Sequence, residues 1–216
     1  MIIKLCLKNT CRLLFYGKQK KQIIMKGHKK MTEPFIKELS FAELKDIYDQ
    51  YSCKTFPPEE LEPWDKVAKL YHEKRYLGWG LYDKKEELCC YAFFSVTPHG
   101  LYLLNMLETV PEKRGSGYGQ KMLAYLKEHY APQPLFIEVE APELAINEEE
   151  RLVRERRIKF YHKLEAYDTT LRSSLGGIVM HILAVNGNLA ELDLHKVHNE
   201  LSLHYPTIYN PTSHML

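Results

Sequence analysis

The 216 residues carry 30 Lys plus Arg against 28 Asp plus Glu, a formal net charge of +2, with 45% apolar, 12% aromatic and 27% charged residues. Those proportions are ordinary for a globular chain and exclude collagen-like, mucin-like and broadly disordered sequences. The length is enough for one large domain or two small ones with a real core, and no apolar run approaches the roughly 20 residues of a membrane span.

The charge is unevenly placed. Residues 1–30 hold nine Lys or Arg and no acid, while residues 31–216 hold 21 bases and 28 acids. A mildly acidic body behind a short basic leader does not read as a nucleic-acid binder, which needs basic residues grouped on the folded domain. The leader is no signal peptide, because its apolar stretches are short and interrupted and no small-residue cleavage site follows. Lys26-Gly27-His28-Lys29-Lys30-Met31 can be encoded by AAA GGA CAT AAA AAA ATG, a purine-rich ribosome-binding stretch before a start codon. The expectation is therefore a misannotated start, or else a disordered basic arm, followed by a single domain over 31–216. The five cysteines (Cys6, Cys11, Cys53, Cys89 and Cys90) are odd in number, and two are adjacent in a strand-like run. That usage fits reduced thiols in a cytoplasmic protein.

Ser40-Phe41-Ala42-Glu43 is a capping box opening a helix through Leu44, Ile47, Tyr48 and Tyr51. Pro57 and Pro58 break the chain, and the spacing of Trp64, Val67, Ala68 and Tyr71 predicts a second helix over 60–74. Strands are predicted at 76–82, 88–96 and 101–110, joined by short polar turns, as in an antiparallel meander. A glycine-bearing loop over 112–119 leads into a helix over 120–130, a strand over 135–139 and a charged helix over 148–164. Strands at 167–172 and 177–185 and a helix over 189–204 follow, with a mobile tail or interface arm at 205–216. Strand, glycine loop, helix, strand is a βαβ unit, so the fold class is α/β (α+β), with a mixed, mostly antiparallel sheet flanked by helices.

The informative stretch is Thr109-Val110-Pro111-Glu112-Lys113-Arg114-Gly115-Ser116-Gly117-Tyr118-Gly119. Glycines at alternate positions let backbone N–H groups approach a ligand, and the following helix adds the positive end of its dipole. Together they suit an anion such as a pyrophosphate. No Gly-Lys-Ser/Thr ends the loop, so it is not a Walker loop, and Arg-x-x-Gly-x-Gly is not the dinucleotide fingerprint.

Arg114-Gly115-Ser116-Gly117-Tyr118-Gly119 resembles the Gln/Arg-x-x-Gly-x-Gly/Ala motif of the GNAT superfamily of N-acetyltransferases, here in a bacterial branch. Thr109-Val110-Pro111 before it is typical as well, and Phe160-Tyr161-His162-Lys163-Leu164 is similar to the family's Phe-Tyr-x-x-x-Gly-Phe segment. The order of elements from about residue 33 to 185 also matches. The resemblance implies a GNAT-like fold that binds acetyl-CoA as co-substrate, with no metal. The cofactor-binding positions it implies are Arg114, Gly115, Ser116, Gly117, Tyr118 and Gly119 in the loop, and Leu107, Glu108 and Thr109 on the preceding strand. The implied reaction is direct attack of a deprotonated primary amine on the thioester, helped by a general base and by an acid for the leaving thiolate. Tyr161 matches the family's acid.

Glu138 and Glu140 alternate with Ile137 and Val139, which puts both carboxylates on one strand face. They are candidates to bind a cationic amine and take its proton, or else they pair with Arg154 or Arg157. Asn105 is a candidate for the acceptor pocket, and as a catalytic group Glu108 is the weaker choice. Cys89 and Cys90 read as core thiols, and His195, His198 and His204 as parts of one polar helix rather than metal ligands. The family's helix carries Asn, Ala and Gly where this chain has Arg154, Arg157 and Glu165, so Arg154 is expected to reach a CoA phosphate. Glu148, Glu149 and Glu150 suit a helix N-terminus or a rim attracting a basic acceptor. The reading is an N-acetyltransferase acting on a small-molecule or peptide amine, with a homodimer permitted and with neither nucleic acid nor membrane as partner. The alternative is a non-catalytic acyl-CoA-binding regulator of the same fold.

Overall fold

The structure is a computed structural model that describes residues 33–56, 58, 61–175, 178–203 and 207–209. The expectations for the leader, 1–30, lie outside the described residues, as do most of those for the tail beyond 204.

The first element is β1 (Phe35–Glu38), a four-residue edge strand with no alternation to betray it. It is held by pairing with β2 and by Phe35 stacking on Tyr82 at 5.3 Å. The predicted capping box is present: Ser40 N donates to Glu43 Oε2 and Glu43 N to Ser40 Oγ, opening α1 (Phe41–Ile47). A π-turn (Tyr48–Ser52) and the one-turn helix α2 (Cys53–Thr55) continue the rod. The next helix, α3 (Trp64–His72), starts four residues later than the spacing predicts. Pro63 is the reason: it disfavours helical backbone at Glu62 and occupies the cap itself.

The meander forms as predicted in β2 (Tyr76–Tyr82), β3 (Leu88–Val96) and β4 (Tyr102–Thr109). Then follow α4 (Tyr118–Tyr130), β5 (Leu135–Glu140), α5 (Glu148–His162), β6 (Tyr167–Leu175) and β7 (Ile178–Val185). The last helix, α6 (Leu194–Ser202), is shorter than expected because Asp193 caps it and Leu189–Glu191 forms a separate 3-10 turn. Thr207–Tyr209, expected as tail, pairs with β6 as β8. The sheet order is β1-β2-β3-β4-β5-β7-β6-β8, and β4–β5 is the parallel pair.

The sheet is covered on both faces, which is why β3 reads as an unbroken apolar run. On one face Cys90, Ala92, Phe94, Leu104, Ile137 and Val139 pack with Leu123 and Leu126 of α4, with Phe160 and Tyr161 of α5 against them. On the other, Tyr91, Phe93 and Met106 pack with Leu44 of α1 and Val67 of α3, and Leu103, Phe136 and Ile182 pack with Val197 of α6. No helix among the described residues is long and apolar enough to cross a membrane.

Candidate active site

The two parallel strands stay together for three residues. Tyr102, Leu103 and Leu104 of β4 pair with Leu135, Phe136 and Ile137 of β5. Beyond them β4 continues with β3 and β5 with β7, so the sheet opens into a cleft. A bulge sits at the opening: Phe94 pairs with Leu104 and Phe93 with Met106, leaving Asn105 as the extra residue. The bulge resets the alternation. Leu104 packs under α4, whereas Met106, two residues on, packs under α1 and α3.

The cleft is a cavity of about 870 Å³ lined from both faces of the sheet. Asn105, Leu107, Glu108, Thr109, Arg114, Gly119, Glu138, Glu140 and Tyr161 of the predicted site all line it. Gly115, Ser116, Gly117 and Tyr118 lie outside its lining, and so does Arg154, which lines a smaller neighbouring pocket between β5 and α5.

The glycine loop runs from Val110 through a 3-10 turn (Pro111–Lys113) into α4. Lys113 Nζ ties it to the β2–β3 hairpin through Asp83 (3.0 Å) and Glu87 (2.8 Å). Gly115 and Gly117 have φ of +76° and +77°, a left-handed backbone that glycine adopts without strain, and the space above both is open. Gly117 caps α4 without a side-chain hydrogen bond, and the first turn contains no acid. The helix thus presents its positive end and its first N–H groups outward. The start of α5 is closed by contrast: Asn147 caps it, with Glu148, Glu149 and Glu150 in the first turn. Gly119 faces inward, where a Cβ would lie 3.3 Å from Thr109 Oγ1 and 3.4 Å from Phe160 Cζ.

Glu108 is buried, and three donors meet its carboxylate. Thr55 Oγ1 (2.9 Å) and Arg114 Nη2 (3.0 Å) donate to Oε1, and Tyr91 Oη donates to Oε2. Ser52 Oγ backs the phenol at 3.1 Å. The Tyr91 phenol stays protonated, because burial and the adjacent carboxylate both push its pKa far up. The hydroxyl of Ser95 donates to Asn105 Oδ1 at 2.7 Å, holding the bulge residue.

Glu138 accepts from Ser173 Oγ at 2.6 Å. Glu140 forms a close ion pair with Arg157, and Arg154 Nε lies 3.6 Å from it. Arg154 is 8% exposed and donates to Ala141 O (2.8 Å) and Glu150 Oε1 (2.5 Å). Tyr161 is half-buried and packs edge-on against Phe160 at 5.1 Å. Burial pushes its phenol up to about 12. No group of three or more His, Cys, Asp or Glu among the described residues is arranged to hold a metal ion. Cys89 and Cys90 are fully buried in the core under α4.

Several cavity residues were not foreseen: Thr55, Phe56, Glu62, Tyr76, Arg156 and Met180. They come from elements far apart in the chain and carry no motif. The Tyr91–Glu108 pair had a usable signal, since meander register sets the two opposite each other.

No family model matches the sequence, and no curated protein does. Solved structures do match. The ribosomal-protein-S18-alanine N-acetyltransferase of Escherichia coli aligns with a TM-score of 0.51 and 20% identity, over 74% of this chain and 98% of that one. A spermidine N-acetyltransferase from Vibrio cholerae, solved with CoA and spermine, aligns with 0.52 and 11%, over 71% and 95%. An acetyltransferase of Corynebacterium glutamicum described as histone acetyltransferase HPA2 and related aligns with 0.50 and 14%, over 72% and 98%. The chain has the GNAT acetyltransferase fold.

Proposed function

We propose that this protein is an N-acetyltransferase that moves an acetyl group from acetyl-CoA to a primary amine of a small molecule or peptide. One observation carries the reading: the cleft that opens past Leu104 and Ile137 is walled at one end by Arg114 and Gly119, where α4 starts with no side-chain cap. An anion site at one end of a cleft, and carboxylates and a protonated phenol within it, are the parts that acyl transfer from a phosphate-bearing thioester needs. The reading places the protein in the cytoplasm.

In this proposal the N–H groups from Gly115 to Gly119 receive the CoA pyrophosphate. Backbone groups of Leu107, Glu108 and Thr109 orient the pantetheine arm and polarise the thioester carbonyl. The amine nitrogen bonds to the carbonyl carbon as the C–S bond breaks. Its proton passes to Glu138 or Glu140, and the thiolate takes one from the Tyr161 phenol. Asn105, fixed by Ser95, borders the acceptor. Arg154 serves as a positioning residue: its buried guanidinium is engaged by Ala141 and Glu150 and braces Glu140.

The test is release of free thiol from acetyl-CoA across a panel of amines, with acetylated acceptor identified by mass. Thiol released together with acetylated acceptor supports the reading. Acetyl-CoA binding without release for any amine favours the non-catalytic regulator.

A further inference from the structure

Tyr76 opens β2 and is 2% exposed, packed with Val67 and Leu70 of α3 and against Phe93. Its hydroxyl is buried and has no hydrogen-bond partner. Buried polar groups are normally paired, so such an atom calls for an explanation. Its neighbours differ: the hydroxyl of Tyr48 is engaged by Glu62 O at 2.7 Å and that of Tyr91 by Glu108. Tyr76 also lines the cleft cavity, on the α1–α3 side of the sheet, together with Phe56, Glu62 and Glu108.

We infer that this end of the cavity is a second recognition subsite of the acceptor, taking a protonated amine distinct from the one that is acylated. The inference rests on the acyltransferase reading and names the substrate class: diamines and longer polyamines rather than simple monoamines. An ammonium group donates to the Tyr76 oxygen, and the Glu62 carboxylate on the same cavity wall supplies opposite charge. Lys66 orients Glu62 at 2.7 Å, while Glu108 is already taken up by Thr55, Tyr91 and Arg114, so Glu62 is the carboxylate left to meet an ammonium group. The Tyr76 phenol remains protonated, since burial and the nearby Glu62 both raise its pKa. A neutral hydroxyl on the acceptor would satisfy the phenol equally well but would leave the Glu62 carboxylate unused.

The experiment titrates the full chain, with and without saturating CoA, using α,ω-diamines of graded length, the matched monoamines and the matched amino alcohols. The diamine of best length is expected to bind at least tenfold tighter than its monoamine. Tyr76→Phe should cut that advantage at least fivefold while leaving monoamine affinity unchanged and the thermal midpoint equal or higher, because it removes an unpaired buried hydroxyl. Glu62→Gln, at the cavity wall, should cut the advantage independently. Equal affinity for diamine and monoamine, an advantage untouched by both substitutions, or amino alcohols matching diamines would each overturn the inference. Diamine selectivity persisting in a protein that does not bind CoA would overturn the acyltransferase reading and leave the subsite standing.

Discussion

Leu104 and Ile137 are the last residues that β4 and β5 share as partners. Everything proposed to meet the reacting groups from these strands lies in the five residues after the first and the three after the second. On one side of this point the strands are closed into the core; on the other side the same two strands form the walls of a cleft.

Tyr161→Phe removes one oxygen and leaves the packing against Phe160 in place. The expected outcome is a kcat lower by about 100-fold, a typical loss for a general acid. Acetyl-CoA affinity should stay within about twofold, since uniform binding is untouched. Steady-state kinetics paired with calorimetry checks both. An unchanged kcat would remove Tyr161 from the chemistry.

Glu138→Gln keeps an oxygen for the Ser173 hydroxyl, so stability should hold while kcat falls by about 100-fold. Glu140→Gln takes the carboxylate from Arg157 and leaves Arg154 with Glu150 alone, so kcat and thermal midpoint should fall together. If both variants turn over at the parent rate, the amine proton leaves by another route.

The sequence made much of this legible. The meander, the glycine loop and the following helix are written in local chemistry: polar turn residues between apolar runs, and Gly115 and Gly117 at positions needing positive φ. Tyr161 is singled out by a resemblance that spacing alone does not supply, and the structure puts it on the cavity wall. What was not legible depends on distant segments. β1 and β8 are edge strands whose only signature is their partner. The bulge at Asn105 exists because β3 and β4 differ by one residue between fixed ends. The placement of β7 between β5 and β6 gives Glu138 its Ser173 partner, and no periodicity reports that. Arg154 matched a family position by count, yet its neighbours Ala141 and Glu150 turn it into the wall of α5.

Arg154→Met tests that last point. Removing a buried guanidinium strands its partners and should destabilise the fold by about 3 kcal/mol. Acetyl-CoA affinity should change less than twofold. A tenfold loss of affinity with an unchanged denaturation midpoint would instead make Arg154 a phosphate ligand.

Burial also sets an alkaline limit on the fold. In the unfolded chain a phenol ionises near pH 10. In the fold Tyr76, Tyr91, Tyr130 and Tyr161 keep their protons to higher pH, Tyr161 to about 12, with burial the largest cause in each. Above the unfolded value the native state therefore binds more protons than the unfolded one. Stability is fully present below about pH 10 and is lost as pH rises beyond it, by up to about 1.4 kcal/mol per unit for each phenol. Urea midpoints measured from pH 8 to pH 11 should be level and then drop, with the share of the tyrosinate absorbance that belongs to these four phenols appearing only on unfolding. A level midpoint across the range would mean these phenols ionise in the fold.

The most direct measurement is calorimetric titration of the protein with acetyl-CoA and with CoA, repeated on Gly117→Glu. Gly117 has φ of +77° and caps α4, so the substitution places a strained side chain and a negative charge where the pyrophosphate is proposed to sit. Micromolar binding by the parent and loss of at least 100-fold in the variant, with both still folded, is the expected result. A folded parent that binds neither molecule would make the glycine loop a turn and nothing more, and the acyltransferase reading would fall with it.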